Sequence, residues 1–331
     1  MPRRARLEEW VKSLFPSEEF TVTTASADAS FRRYFRAQFA DRSYIVMDAP
    51  PEHEDCKPFI HVATLFEAAG AHVPHIHAQN LEEGYLLLSD LGDTTYLAAL
   101  NADSAKGLYA DAVTALINIQ LASKPDQLPP YDRALLEREL NLFPDWYISK
   151  HLNVTLTDAQ NGVLRDTFEK ILANNLAQPT VYVHRDYHSR NLMVVEGNNP
   201  GVIDFQDAVY GPITYDLASL FKDAYIAWDE EQVLDWLIRY WERAKKAGLP
   251  VDADFGAFYR DFEWMGVQRH IKVLGIFARL CHRDGKTGYV NDMPMVMQYL
   301  LKACERYVEL RPFLRLLNEL NGKQTQVIYS F

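Results

Sequence analysis

Apolar positions alternate with polar ones through the first ninety residues and recur every three to four residues after that. The change of period predicts strands first and helices later. Leu7, Trp10, Val11, Leu14 and Phe15 fall on one helical face, which predicts an amphipathic N-terminal helix docked on the body of the protein. Strands are expected over 20–24, 31–39 and 43–48, with a small polar loop at 25–30 and a turn at 40–42. A helix over 58–69 closes at Gly70, and residues 71–77 read as a loop entering a strand. The apolar strand 85–88 then breaks into Ser89-Asp90-Leu91-Gly92-Asp93, which has the composition of a hinge. Helices are predicted over 103–123, 131–151 (broken at Pro144), 157–176, 214–225, 229–247 and 254–282. A last helical stretch, 292–317, carries Pro294 in its first turn and a break near Pro312. The fold class expected is α+β and two-lobed, with a β-rich part over 1–90 and a helical part over 91–331.

Composition adds boundaries to this picture. Of 331 residues, 48% are hydrophobic, enough for a substantial core. Lys and Arg number 34 against 45 Asp and Glu, a net charge of −11, which argues against a general nucleic-acid binder. Cys56, Cys281 and Cys304 are far apart and form no CxxC pair, so a reducing, cytoplasmic location is expected. No apolar run is long enough to span a membrane, and Glu8 and Glu9 interrupt the basic N-terminus, so no membrane partner is expected. Two motifs are decoys. Gly285-Lys286-Thr287 lacks the upstream glycine of a phosphate loop, because residue 280 is Leu, and it follows a helix rather than a strand. His72, His75 and His77 lie where a loop enters a strand, without an acidic or Cys partner close by in sequence.

The chemistry concentrates in residues 181–209, VYVHRDYHSRNLMVVEGNNPGVIDFQDAV. Asp186 ends a strand, Asn191 follows five residues later, and Asp204 thirteen after that, beyond a hairpin formed by 192–195 and 201–203. Phosphoryl transfer needs a carboxylate to take the proton of the attacking hydroxyl and hard oxygens to hold Mg²⁺. Asp186 suits the first task, and Asn191 and Asp204 the second. His184 and Asp216 are expected to brace the loop. Seven residues separate Gln206 from Thr214, too few for a segment that binds a peptide, so a small-molecule acceptor is favoured.

HRDYHSRNL, VIDFQDA and GPITYDLASL resemble the aminoglycoside-phosphotransferase and choline-kinase-like family, over nearly the whole chain. The resemblance implies a protein-kinase-like fold, ATP and Mg²⁺ as cofactors, Asp186 as catalytic base, Asn191 and Asp204 as metal ligands, and Ser89, Asp90 and Leu91 as the hinge that contacts adenine. Within the family, SFRRYFR, YLLLSDLGD and QRHIKVLGIFARLCHRDGKTGYV resemble the bacterial amino-sugar kinases of cell-wall recycling. Those enzymes phosphorylate the anomeric hydroxyl of N-acetylmuramate and N-acetylglucosamine. The resemblance thus implies a sugar acceptor; a monomer is expected. An aminoglycoside or other small alcohol is the alternative acceptor, and a catalytically inactive, kinase-shaped binding protein is the alternative of another class. The third strand departs from the family, because Met47 stands where a Lys usually pairs the phosphates. Arg32 or Arg33, beside the small-residue loop that ends at Ser30, is expected to supply the missing cation, since Arg forks suit phosphate oxygens. Asp223, Gln268 and Arg269 are the candidates for acceptor binding, with Arg269 suited to a lactyl carboxylate.

Overall fold

The computed structural model describes residues 2–27 and 31–328. The chain forms two compact units, one made of 1–122 with 190–207 and the other of 123–189 with 208–331. The boundary expected at residue 90 is therefore corrected. Residues 91–122 and the hairpin segment 190–207 belong with the β-rich unit.

In the first unit, α1 (Arg3–Leu14) precedes β1 (Thr21–Ala27), β2 (Arg33–Gln38) and β3 (Ser43–Asp48). Then come α2 (Cys56–Ala68), β4 (Ile76–Asn80), β5 (Tyr85–Ser89), α3 (Tyr96–Ala99) and α4 (Ala105–Leu121). The five strands form one antiparallel sheet in the order β1-β2-β3-β5-β4. Leu7 and Val11 of α1 are fully buried against Phe35, Ala37, Phe39, Val46, Tyr85 and Leu87 of the sheet. Each such burial is worth roughly 1.5–3 kcal/mol. Trp10 adds a ring contact to Tyr85 at 5.6 Å, and Arg3 Nε donates to Asp48 at 2.6 Å. Docking therefore explains the apolar face of α1. At the β3–β5 end, Gly84 has φ +72°, and a Cβ there would lie 1.9 Å from Ala49 O, so only glycine fits.

In the second unit, α5 (Arg133–Leu142) runs into a π-helical segment, Phe143–His151, with Pro144 in its first turn. α6 (Asp158–Leu176) starts with a capping box between Thr157 and Gln160. β6 (Thr180–Val183) follows and leads into the loop 184–189. The chain then returns to the first unit as β7 (Leu192–Met193) and β8 (Gly201–Val202), an antiparallel hairpin. β9 (Val209–Pro212) re-enters the second unit and pairs antiparallel with β6. Helices α7 (Tyr215–Phe221), α8 (Glu230–Ala247), α9 (Phe255–Asp284), α10 (Met293–Arg306) and α11 (Arg311–Ile328) complete it. The break in the last stretch falls at Tyr307, not at Pro312, which sits in the first turn of α11 where its missing N–H costs nothing. The 30-residue α9 forms the core of this unit, with Phe262 to Gly275 buried on every face, including Glu263, Gln268, Arg269, His270 and Lys272. Gly275 lets α9 pass close to α5, since a Cβ there would sit 2.5 Å from the Leu142 backbone. Among the described residues, no helix is long and apolar enough to cross a membrane.

Candidate active site

The loop after β6 is built on a buried carboxylate. Asp216, in the first turn of α7 and fully buried, accepts hydrogen bonds from His184 N at 2.7 Å and Arg185 N at 3.0 Å. Burial pushes its carboxyl up to about 6, against the pull of His184 and the two backbone donors. Asp186 N donates to His184 Nδ1 at 3.2 Å, so the imidazole's position is set by the loop it holds. Arg185 takes φ +76°, a conformation costly for a non-glycine residue. Its guanidinium is anchored to Glu139 of α5 at 2.5 Å.

Glu139 is the centre of a second layer. It is buried and receives Arg185, Lys272 Nζ at 3.2 Å and the hydroxyl of Tyr131. Lys272 Nζ also donates to Tyr215 OH at 2.9 Å. Burial would raise the Glu139 carboxyl, but Lys272 and Arg185 outweigh it and hold it below the ordinary range. The same cations act on Asp186. Burial would raise this carboxyl too, but Lys272, with His188, Arg269 and Arg185, holds it at about 2. Asp186 is therefore ionised at every physiological pH, and it stands half-buried at the end of the loop.

Farther along, Ser189 N donates to Asp223 Oδ2 at 2.9 Å, and Tyr225 N to Asp223 Oδ1 at 3.1 Å. One oxygen of Asp223, expected as an acceptor contact, thus holds the loop's C-terminal end, and the other closes Asp223's own turn. Gln268 Nε2 donates to Leu136 O at 3.0 Å and ties α9 to α5. Arg269 is 3% exposed and, among the described residues, has no hydrogen-bond or ion-pair partner.

In the first unit, hairpin β7–β8 brings Asn191 and Asp204 together at its open end. Ile203 N donates to Asn191 O at 3.1 Å, and Asn191 Nδ2 lies 3.3 Å from Asp204 Oδ2. Asp204 adopts φ +63°, which Asp tolerates better than most residues, and its Oδ1 accepts from Gln206 Nε2 at 2.9 Å. Phe205, fully buried, packs on Phe59 at 4.8 Å and Phe66 at 5.9 Å from α2, which fixes the backbone beside Asp204. Asn199 in the hairpin turn donates to Tyr96 OH at 2.7 Å and Asp111 at 2.8 Å, and so ties it to α3 and α4. The donor set, one carboxylate and one amide oxygen, fits a hard cation such as Mg²⁺.

Met47 is fully buried, and the next residue, Asp48, lies opposite Arg33 in the β2–β3 register. Asp48 binds both Arg33 and Arg3. Arg32 pairs with Glu54 at 3.0 Å, just before α2. Glu54 is not legible from the helix pattern, because it stands in the loop just before α2. Ser30 lies outside the described residues. At the hinge, Ser89 N donates to His75 O at 2.9 Å and Leu91 is buried. The Asp90 carboxylate is engaged by Arg36 at 2.5 Å, Ser43 Oγ at 2.7 Å and Gly92 N at 3.0 Å. Glu139 and Lys272 were also missed. Their signal was present: Lys272 recurs at helical spacing with Met265 and Gln268 inside an apolar helix, where a charge is kept only with a partner.

A braced, ionised aspartate and a carboxylate–amide pair are groups that a phosphotransferase would need. A family model described as "Phosphotransferase enzyme family" matches residues 21–249, and the chain belongs to that family. Among its relatives, the N-acetylmuramate/N-acetylglucosamine kinase of Pseudomonas putida is 50% identical over 322 residues, 96% of this chain and 95% of the relative. The protein of the same name from Neisseria meningitidis is 48% identical over 98% of both chains. That from Caulobacter vibrioides is 30% identical over 82% of this chain and 85% of its own. Choline kinase LicA from Streptococcus pneumoniae superposes with a TM-score of 0.64 at 16% identity, over 90% of this chain and 99% of its own. The ADP-bound aminoglycoside phosphotransferase APH(2'')-Ib gives 0.60 at 15%, over 89% and 97%. At these identities the two structures share the fold with this chain.

Proposed function

We propose that this protein is an ATP- and Mg²⁺-dependent sugar kinase that phosphorylates the anomeric hydroxyl of N-acetylmuramate and N-acetylglucosamine. The observation that carries the reading is near-half identity, over almost the full length, to kinases named for those two sugars. The braced Asp186 and the Asn191–Asp204 pair support it as chemistry. In the reaction, the anomeric oxygen forms a bond to the γ-phosphorus while the bond to the β–γ bridging oxygen breaks. The hydroxyl proton goes to Asp186, ADP leaves, and the sugar becomes a 1-phosphate. With a carboxyl held at about 2, Asp186 orients the hydroxyl in the ground state and takes the proton only as transfer makes it acidic. Asn191 and Asp204 would hold Mg²⁺, which when bound supplies the charge neutralisation that phosphoryl transfer needs. Arg32 is our choice for the cation absent at Met47. Its pairing with Glu54 reproduces the cation–carboxylate arrangement of a kinase phosphate lysine, whereas Arg33 is engaged with Asp48. The backbone at Ser89–Leu91 is the adenine contact in this scheme. ATP consumption measured across N-acetylmuramate, N-acetylglucosamine, choline and an aminoglycoside tests the reading: turnover with the two amino sugars supports it, and turnover confined to choline or the aminoglycoside overturns it.

A further inference from the structure

Three cations of the second unit, Lys272, Arg185 and Lys222, are paired with the buried carboxylates Glu139 and Glu263. Lys272 and Arg185 share Glu139, within 3.2 Å and 2.5 Å, and Lys222 has Glu263 at 3.2 Å. Arg269 is as deeply placed, at 3% exposure, yet no carboxylate meets it among the described residues, and its Nη1 is buried without a partner. An unpaired guanidinium in the interior is costly, and the cost falls when an anion arrives with matching geometry. The surroundings say where that anion would sit. Arg269 lies one turn before Lys272 on α9, so the two share one stretch of helix surface, and Lys272 there meets Tyr215 OH and Glu139, the carboxylate that also holds Arg185 of the loop. Its neighbour His270 is held the other way, with Nε2 against Lys222 O at 3.3 Å and its ring stacked on Tyr299 at 5.1 Å. His188, on the loop itself, is buried against Tyr225 at 5.4 Å and also leaves its Nδ1 unpartnered. Arg269 is near enough to help hold down the Asp186 carboxyl. An acceptor hydroxyl at Asp186 would therefore bring the rest of the acceptor within reach of Arg269.

The two sugars differ in charge. N-acetylmuramate carries a lactyl carboxylate that N-acetylglucosamine lacks. We propose that Arg269 binds the acceptor's carboxylate and so is the residue that tells N-acetylmuramate from N-acetylglucosamine. This rests on the amino-sugar kinase reading given above. A bidentate Arg–carboxylate pair is planar and directional, which a Lys cannot reproduce.

The test compares both sugars, and the methyl ester of N-acetylmuramate, on the native enzyme and on Arg269→Gln and Arg269→Lys. Native enzyme should lose roughly 10- to 100-fold in kcat/KM on the ester relative to the free acid, the worth of a charged hydrogen-bonded pair. In Arg269→Gln the N-acetylmuramate to N-acetylglucosamine ratio of kcat/KM should fall by the same factor, with the ester no longer distinguished from the acid. Arg269→Lys should recover part of the ratio. An equal fall on both sugars in the variants, or an ester as good as the acid on native enzyme, overturns the proposal and assigns Arg269 to Asp186 or to the phosphate. Should native enzyme phosphorylate neither sugar, it is the amino-sugar reading that fails.

Discussion

Asp186, half-buried, and Asp216, fully buried, lie 30 residues apart in sequence, and their environments pull their carboxyls in opposite directions, to about 2 and about 6. The cations beside Asp186 are the reason for the difference; at Asp216, His184 and two backbone N–H groups do not offset the burial. Replacing Asp186 by Asn keeps the shape but removes the proton acceptor, so kcat should fall by roughly 10²–10⁴ with the far-UV spectrum unchanged. A fall of less than about threefold would assign the proton to another group. The pH profile of kcat should then show its acid limb near 6, from protonation of the Asp216 brace, and none from Asp186. In Asp216→Asn that limb should vanish, and its persistence would count against the brace. The stability signs differ as well. Asp216, raised when folded, stabilises the protein below the ordinary carboxylate range, and this contribution is lost as pH rises through about 6. Asp186, lowered when folded, contributes above the ordinary range and loses that contribution as pH falls toward 2. Arg32→Ala should raise the KM for ATP by about fivefold or more, a charged contact's share, and by more than Arg33→Ala. Equal, unchanged ATP kinetics in both variants would remove arginine from the nucleotide site. At this scale the spacing in the sequence singled out Asp186, Asn191 and Asp204, and the fold sets Asn191 beside Asp204. Glu139, Lys272 and Glu54 were not legible as a set, because each is paired with a residue that sequence separation hides.

Helix α9 shows what element-level reading reaches. Its length and period were visible, but its charged residues could be read equally as a wet face. Only the packing shows that Lys272 and Gln268 point toward α5 and the loop it supports. The crossing itself depends on Gly275. Gly275→Ala would gain helix propensity, roughly 1 kcal/mol, yet place a methyl against Leu142 backbone that cannot move aside. We expect net destabilisation of about 1–3 kcal/mol, read as a lowered Tm. Gly288, with open space around its Cβ position, is the control, and Gly288→Ala should be within about 0.5 kcal/mol of neutral. A stabilised Gly275→Ala would show that α5 yields. Prolines were the weaker guide. Pro312 sits in a first turn, where the ring is tolerated, so that break falls five residues earlier, at Tyr307, whereas Pro144 stands at the change from α- to π-helix.

For the whole molecule, the switch from period two to period three-and-a-half gave the α+β class, and the catalytic-loop motif gave the family. The unit boundary was not legible, because α3, α4 and the β7–β8 hairpin join the sheet unit through contacts such as Asn199 with Tyr96 and Asp111, between residues about 90–100 apart in sequence. The net charge of −11 says little about an acceptor, since the groups that matter are a few buried cations around one loop. The central claim is that a phosphoryl group is transferred to the anomeric oxygen of an amino sugar. The most direct measurement is ³¹P and ¹H NMR of the product made from ATP and N-acetylglucosamine, and then from N-acetylmuramate. The account predicts a phosphate coupled to the proton on C1 in both products, and no product with Asp186→Asn over the same time. Phosphate on another hydroxyl, or no sugar phosphate from active, folded protein, would contradict it.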